Sequence, residues 1–109
     1  MCGIAGILAG VAANRSALAT ELKSMATAQA HRGPDDSGLW LSPDAKAGFA
    51  HRRLSIIDLS PAGHQPMESL SGRFVVCFNG EIYNYPDLRE ELLARGHRFR
   101  GHSDTEVVL

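Results

Sequence analysis

The first third of the chain carries two apolar patterns of different period. Residues 3–8 form a short, apolar, glycine-rich run, which predicts a buried strand packed closely against another backbone. Between residue 15 and about residue 30 apolar side chains recur at helical spacing, and Asn14 precedes them as a capping residue. The apolar positions of this predicted helix are Leu18, Leu22, Met25 and Ala26. The helix is expected to cover the strands as a separate layer.

Turns and short strands are predicted for the middle of the chain. Glycine, proline and two aspartates at residues 31–36 break any regular element and predict a structured loop. Residues 39–41 and 48–51 are largely apolar and flank a turn-rich segment at 42–45, a pattern typical of a β-hairpin.

The last third of the chain alternates strand and helix signals. Residues 73–78 are β-branched and aromatic, which predicts a strand that delivers residues 79–81 at its end. A second helix is predicted over residues 86–93, with Gly96 just past its end. Residues 103–106 have capping-box spacing and predict the start of a third helix. Because the sequence stops within the second turn of that helix, we expect a domain truncated at its C-terminal end.

Composition and charge exclude several classes of protein. The 109 residues are 44% apolar and 21% charged, which is typical of one globular domain, or a part of one, over residues 1–109. A net charge of -1 gives no basic field for a phosphate backbone, so nucleic acid is not an expected partner. No apolar run approaches the roughly 18 to 20 residues that cross a bilayer. We therefore expect a cytoplasmic protein without a membrane partner.

The two cysteines are far apart and are interpreted separately. Neither belongs to a CxxC pair, so the sequence predicts no zinc site and no disulfide framework. Cys77 lies inside the predicted strand at 73–78 and is expected in the core. The histidines are too scattered for a metal-ligand pattern, and we predict no metal site. They are His31, His51, His64, His97 and His102.

Cys2 can do chemistry that Cys77 cannot, because it follows the initiator methionine. If Met1 is removed, which we expect, the Cys2 thiol and a free α-amino group belong to the same residue. An α-amine has a pKa near 8, so a neutral fraction is available as a base at neutral pH. Nucleophile and base then arrive together, as in N-terminal-nucleophile catalysis.

Five motifs occur in a fixed order along the chain. They are residues 1–6 (MCGIAG), 31–35 (HRGPD), 51–56 (HRRLSI), 78–84 (FNGEIYN) and 103–106 (SDTE). Together they resemble the glutaminase domain of the glutamine-hydrolysing asparagine synthetase family, a class II glutamine amidotransferase domain, from Cys2 to Leu109. The residues that follow Arg32 and Arg53 are similar to the asparagine synthetase branch more than to the purine-pathway or amino-sugar branches.

The resemblance implies a fold and a reaction. The implied fold is α+β, a four-layer αββα sandwich of the N-terminal-nucleophile hydrolase type, with only its N-terminal part present. The implied reaction is hydrolysis of the L-glutamine side-chain amide through a thioester on Cys2. The ammonia would pass to an ATP- and magnesium-dependent synthetase domain, absent here, that amidates aspartate, and the full-length protein would be compatible with a homodimer. The glutaminase step itself would need no cofactor.

The resemblance also implies roles for individual residues. Asn79 and the Gly80 amide would form an oxyanion hole, while Arg53, followed by Leu54 and Ile56, would bind the substrate's α-carboxylate. The acidic contacts to the α-ammonium would come from Glu81 and Asp104.

Simpler interpretations stay open beside these roles. Asn79-Gly80 after a strand is also a hairpin-turn signal, and Arg53 is also compatible with a solvated surface residue. Glu81 and Asp104 are compatible with ordinary surface acids. For the function, the alternatives are a class II amidotransferase with another nitrogen acceptor and a non-catalytic regulatory module of the same fold.

Overall fold

The chain forms two small antiparallel sheets and two α-helices in a computed structural model that describes residues 1–109. The strands are β1 (Gly3–Leu8), β2 (Asp36–Leu41), β3 (Ala47–Arg53), β4 (Met67–Glu68) and β5 (Val75–Val76). The helices are α1 (Arg15–Ala28) and α2 (Tyr85–Ala94), and three 3₁₀ turns occupy Ala30–Arg32, Pro61–Gly63 and Asp104–Val108. The presence of both helices and antiparallel sheets confirms the predicted α+β class.

The larger sheet has the strand order β1-β3-β2, and the smaller one pairs β4 with β5. The hairpin predicted around residues 42–45 joins β2 to β3. Its turn is held by the Ser42 hydroxyl, which accepts hydrogen bonds from the amides of Lys46 and Ala47 at 3.1 and 2.9 Å. Ala45 takes a positive φ of 54° in this turn and is buried.

Helix α1 covers one face of the larger sheet. Asn14 caps it as predicted, with its side-chain oxygen accepting hydrogen bonds from the amides of Ser16 and Ala17 at 3.0 and 3.1 Å. The helix ends at Ala28, two residues before the predicted limit. The apolar core lies between helix and sheet and consists of Leu18, Leu22, Ala26, Ala45 and Ala50.

The alternation of side chains along β3 separates this core from the opposite face of the sheet. Gly48 faces α1 so closely that an added Cβ would lie 2.5 Å from a methyl carbon of Leu22. Phe49 points to the other face and stacks on Trp40, with ring centroids 5.7 Å apart. Because side chains alternate with period two, His51 and Arg53 follow Phe49 onto that face. The core and the polar end of β3 therefore lie on opposite sides of one sheet.

Two predicted elements differ from the observed ones. The strand predicted at 73–78 is reduced to Val75–Val76, because its partner β4 has two residues and the Phe78 backbone is bonded by side chains instead. The third predicted helix is a 3₁₀ turn, Asp104–Val108, in which Ser103 accepts a hydrogen bond from the Thr105 amide at 3.1 Å. The capping box does not close, because the Glu106 carboxylate binds the amides of residues 100 and 101.

Helix α2 ends as the sequence predicts. Gly96 adopts a φ of 89°, and the amides of Gly96 and His97 bond back to the carbonyls of Leu93 and Leu92. This pair of bonds is the Schellman pattern, which favours glycine at the left-handed position. None of the helices combines the length and apolar character of a membrane span.

Candidate active site

A cleft of about 270 Å³ opens beside the end of β3 and the start of β1. The segments that follow β5 and precede the last 3₁₀ turn form its other walls. All eight residues singled out in the sequence line this cleft: Cys2, Arg53, Leu54, Ile56, Asn79, Gly80, Glu81 and Asp104. The fold therefore brings together residues from both ends and the middle of the chain.

Cys2 is anchored at the start of β1. Its half-buried side chain lies against the backbone of Leu54: Sγ accepts from the Leu54 amide at 3.3 Å and donates to the Leu54 carbonyl at 3.7 Å. The Cys2 carbonyl accepts a hydrogen bond from Nε of Arg32 at 3.2 Å. Sulfur and main chain are thus both fixed, and Arg32 places the loop at 31–36 beside the site.

Arg53 ends β3 and is buried, with 8% of its surface exposed. Its guanidinium donates to the Ser60 carbonyl at 3.0 Å and also to the Asp58 carbonyl. A guanidinium has five N–H groups, so these two bonds leave donors free. The neighbouring Arg52 points away from the cleft and donates to the Gly33 carbonyl at 3.0 Å. A solvated surface role for Arg53 is excluded by its burial.

Asp58 braces the turn that holds Arg53. Its carboxylate accepts hydrogen bonds from the amides of Ser60 at 2.7 Å and His102 at 3.0 Å. Burial raises the pKa of the Asp58 carboxyl, but hydrogen bonding from the Ser60 hydroxyl and from these two amides, together with the positive charge of Arg53, outweighs burial and leaves the pKa below its usual value. Asp58 is therefore a carboxylate at neutral pH, and it ties the Arg53 turn to the segment before Asp104.

Asn79 and Gly80 follow β5 without forming a hairpin turn. Asn79 is half-buried in the cleft wall and Gly80 is exposed toward it. An added Cβ at Gly80 would lie 2.6 Å from Cζ of Phe78, so a larger residue would displace either the Phe78 ring or the segment. Side-chain amide and backbone N–H at this place are two neutral donors next to an open volume.

The two acidic residues differ in their surroundings. Asp104 is buried, with 6% of its surface exposed, and its Oδ2 accepts a hydrogen bond from the Ile82 amide at 2.9 Å. Its second carboxylate oxygen keeps its acceptor capacity. Glu81 is exposed at the mouth of the cleft. Glu81 and Asp104 thus give one wall of the cleft two acids, while Arg53 lies on another wall beside the amide-bonded carboxylate of Asp58.

Some residues of the site were missed by the sequence reasoning. Asp58, Gln65 and Thr105 line the cleft and are buried, while His51 is buried against the backbone of Phe78, one of the lining residues. No motif or periodicity near these residues in the sequence indicates that they lie at the cleft. An acid within the apolar run at 54–59 was the one available hint for Asp58.

Cys77 lies half-buried near the site, not fully within the core. Its thiol donates to the Ala50 carbonyl at 3.7 Å. Burial, and then the negative charge of the Cys2 thiolate, raise the pKa of the Cys77 thiol to about 11. Cys77 is thus kept protonated at neutral pH. No group of three or more His, Cys, Asp or Glu side chains is arranged to hold a metal ion.

Similarity to known proteins decides the family. A profile of the glutamine amidotransferase domain matches residues 1–109, the whole chain. The chain belongs to the glutamine amidotransferase domain family. The assignment made from the five motifs is confirmed.

The chain is similar to two asparagine synthetases of Bacillus subtilis and to an amidase of Gibberella zeae. Asparagine synthetase [glutamine-hydrolyzing] 2 of Bacillus subtilis is 49% identical over 111 residues, which cover 100% of this chain and 14% of the relative. Asparagine synthetase [glutamine-hydrolyzing] 1 of the same organism is 46% identical over 110 residues, with 100% and 17% covered. The protein named Amidase chry2 from Gibberella zeae is 38% identical over 117 residues, with the same coverage. The chain spans less than a fifth of the length of each.

Proposed function

We propose that the cleft binds L-glutamine and hydrolyses its side-chain amide through a thioester on Cys2. The observation that carries this proposal is the convergence, in one cleft, of a thiol, a buried guanidinium, a donor pair and two acids. Membership of the glutamine amidotransferase domain family supports the choice of substrate.

The charges of the cleft match the two ends of an amino acid. The free donors of Arg53 suit the substrate's α-carboxylate, because a planar guanidinium binds a carboxylate through two parallel hydrogen bonds. The open oxygen of Asp104 and the carboxylate of Glu81 suit the α-ammonium. Leu54 and Ile56 line the cleft and offer apolar contact for the methylene groups.

The reaction then follows from the placement of Cys2. The α-amine of processed Cys2 takes the thiol proton, and sulfur attacks the side-chain carbonyl carbon of glutamine. The resulting oxyanion is bound by the Asn79 side chain and the Gly80 amide. The C–N bond breaks as the amine returns its proton to the leaving nitrogen, so ammonia and a thioester form. Water hydrolyses the thioester, which releases glutamate and restores the thiol.

This scheme requires removal of Met1. Met1 is 77% exposed, so an aminopeptidase has access to it. The Cys2 amine is released beside its own thiol, at the residue whose carbonyl is already fixed by Arg32. The intact mass of the purified protein reports whether this processing has occurred.

The direct test compares Cys2→Ala with the unchanged protein in the full-length gene product. We expect Cys2→Ala to abolish release of ammonia and glutamate from glutamine, while any synthesis driven by added ammonia continues. Glutamine hydrolysis that survives Cys2→Ala would overturn the proposal. An unchanged protein without turnover, although Met1 has been removed, would favour the non-catalytic regulatory alternative.

We infer that the ammonia serves an ATP-dependent synthetase domain that amidates aspartate, with ATP and Mg²⁺ acting in that domain. The names of the Bacillus subtilis relatives support this inference. We also propose that the α+β fold seen here forms the N-terminal part of a four-layer αββα sandwich, in a protein compatible with a homodimer. Formation of asparagine from aspartate, glutamine, ATP and Mg²⁺ by the full-length product tests the acceptor. One relative is named as an amidase and not as an asparagine synthetase, so the second candidate is a nitrogen acceptor other than aspartate, for which glutamine hydrolysis without asparagine formation is the expected result.

A further inference from the structure

We propose that Gln65 and His51 are positioning residues that clamp the backbone of Phe78 and thereby aim Asn79 and Gly80 at the reacting carbonyl. The inference rests on the proposed function, because it assigns a task to residues behind the oxyanion pair. Neither residue touches the substrate in this scheme.

The clamp consists of two hydrogen bonds to one residue. Oε1 of Gln65 accepts from the Phe78 amide at 2.7 Å, and Nε2 of His51 lies 3.2 Å from the Phe78 carbonyl oxygen. Gln65 is 6% exposed and His51 is 1% exposed. Both backbone groups of the residue just before Asn79 are thus bound by buried side chains.

No sheet ladder fixes this part of the chain. Strand β5 ends at Val76, so residues 77–80 run without the backbone pairing that would set the direction of Asn79. A buried backbone needs partners for its polar groups, and side chains supply them here. The direction of the oxyanion pair therefore depends on the clamp.

The hydrogen-bonding pattern of the His51 ring supports a role as donor to the Phe78 carbonyl and not as a packing residue alone. A carbonyl oxygen only accepts, so Nε2 must carry the proton that bonds to Phe78. Nδ1 is buried and has no partner. Such an unsatisfied nitrogen is unfavourable, and an apolar side chain would fill the same space without it. The bond to Phe78 is the one feature of this site that a histidine supplies and an apolar residue does not.

Gln65 also connects the oxyanion segment to the opposite wall. Its Nε2 donates to the Thr105 hydroxyl at 3.3 Å, and Thr105 follows Asp104. The Ile82 amide, on the other side of Gly80, bonds to Asp104 at 2.9 Å. The segment that carries Asn79 and Gly80 is therefore tied at both ends, and Gln65 spans the distance to the acid wall.

The test uses the full-length gene product with Gln65→Met, which keeps the length of the side chain and removes both of its hydrogen bonds. A displaced donor weakens oxyanion binding more than substrate binding. We expect kcat for glutamine hydrolysis to fall about 10- to 100-fold, with KM within about threefold of the unchanged protein. His51→Leu is expected to act in the same direction. His51→Gln, whose amide reaches the position of Nε2, is expected to restore most of kcat. The exposed His97→Leu is the matched control.

Each other outcome overturns the proposal. An unchanged kcat in Gln65→Met or His51→Leu would refute the proposed clamp. So would a His51→Gln variant no better than His51→Leu, or a loss of kcat accompanied by an equal rise in KM, because either result indicates a general structural role. Cys2→Ala is measured in parallel: if it keeps its activity, the proposed function fails by itself, whereas an inactive Cys2→Ala beside an unaffected Gln65→Met refutes the clamp alone.

Discussion

A single methyl group at Gly63 tests the role assigned to Arg53. Gly63 is buried in the 3₁₀ turn at Pro61–Gly63, and an added Cβ would lie 2.6 Å from Cζ of Arg53. The guanidinium is bonded to the carbonyls of Ser60 and Asp58, which belong to the segment leading into this turn. Gly63→Ala therefore moves the guanidinium or the turn, while the side chain of Arg53 and its charge remain present.

The expected loss follows from the hydrogen bonds at stake. Hydrogen bonds to charged groups contribute about 1.5 to 3 kcal/mol. With about 1.4 kcal/mol for each factor of ten, a misplaced guanidinium raises KM for glutamine about 10- to 100-fold. The Cys2 thiol is held by the backbone of Leu54 and not by the turn at Pro61–Gly63, and the donor pair follows β5, so kcat is expected to change much less. Gly63→Ala is thus expected to change mainly KM, whereas loss of the Phe78 clamp is expected to change mainly kcat.

The assay is the steady-state rate of glutamate release by the full-length gene product, measured over a wide range of glutamine. Gly10→Ala is the matched control, because no atom lies within 4 Å of its added Cβ and its φ is not positive. An unchanged KM in a folded Gly63→Ala protein would refute the placement of the carboxylate at Arg53. An equal rise in Gly10→Ala would show that the effect is not specific to this contact.

Two further predictions concern groups with shifted pKa values. Because the pKa of Cys77 is about 11, roughly one thiol in a thousand is a thiolate at pH 8, and iodoacetamide at that pH should leave Cys77 unmodified in peptide mass spectra of the folded protein. Rapid labelling of Cys77 would contradict its burial. For His51, burial lowers the pKa below 6.5 and Arg53 lowers it further, while the Phe78 carbonyl and Asp36 oppose the shift. The unfolded chain therefore binds this proton more readily, so the His51 contribution to stability is complete above about pH 6.5 and is lost as the pH falls below that value. Chemical denaturation at several pH values should show this loss, and His51→Gln should reduce it.

Sequence reasoning succeeded where the signal is local. The period of apolar residues located α1, Asn14 located its cap, and Gly96 located the end of α2. The residues of the cleft were found because their motifs are short and ordered, and the geometry places all eight of them together. Their individual roles remain predictions, which the variants above test.

Sequence reasoning failed where a partner is distant and is a side chain. Phe78 is bonded by residues 13 and 27 positions away, and no periodicity marks such pairs. Strand propensity over residues 73–78 predicted a ladder, but β4 provides a partner for two residues. Propensity describes what a segment prefers, whereas its pairing depends on what the rest of the fold places beside it.

The distribution of buried polar groups suggests how the site keeps its shape. Seven polar or charged residues are buried, and six of them line the cleft, whereas the apolar core of five residues lies on the far side of the larger sheet, under α1. Hydrophobic packing is not directional, but a hydrogen bond fixes both distance and angle. Because the segments around Asn79, Asp58 and Asp104 contain little regular structure, their relative positions depend on these bonds. Polar substitutions at the cleft should therefore reduce catalysis with a small loss of stability. Truncation of a leucine under α1 should have the reverse effect, because it leaves a cavity in the core but moves no hydrogen-bond donor of the cleft.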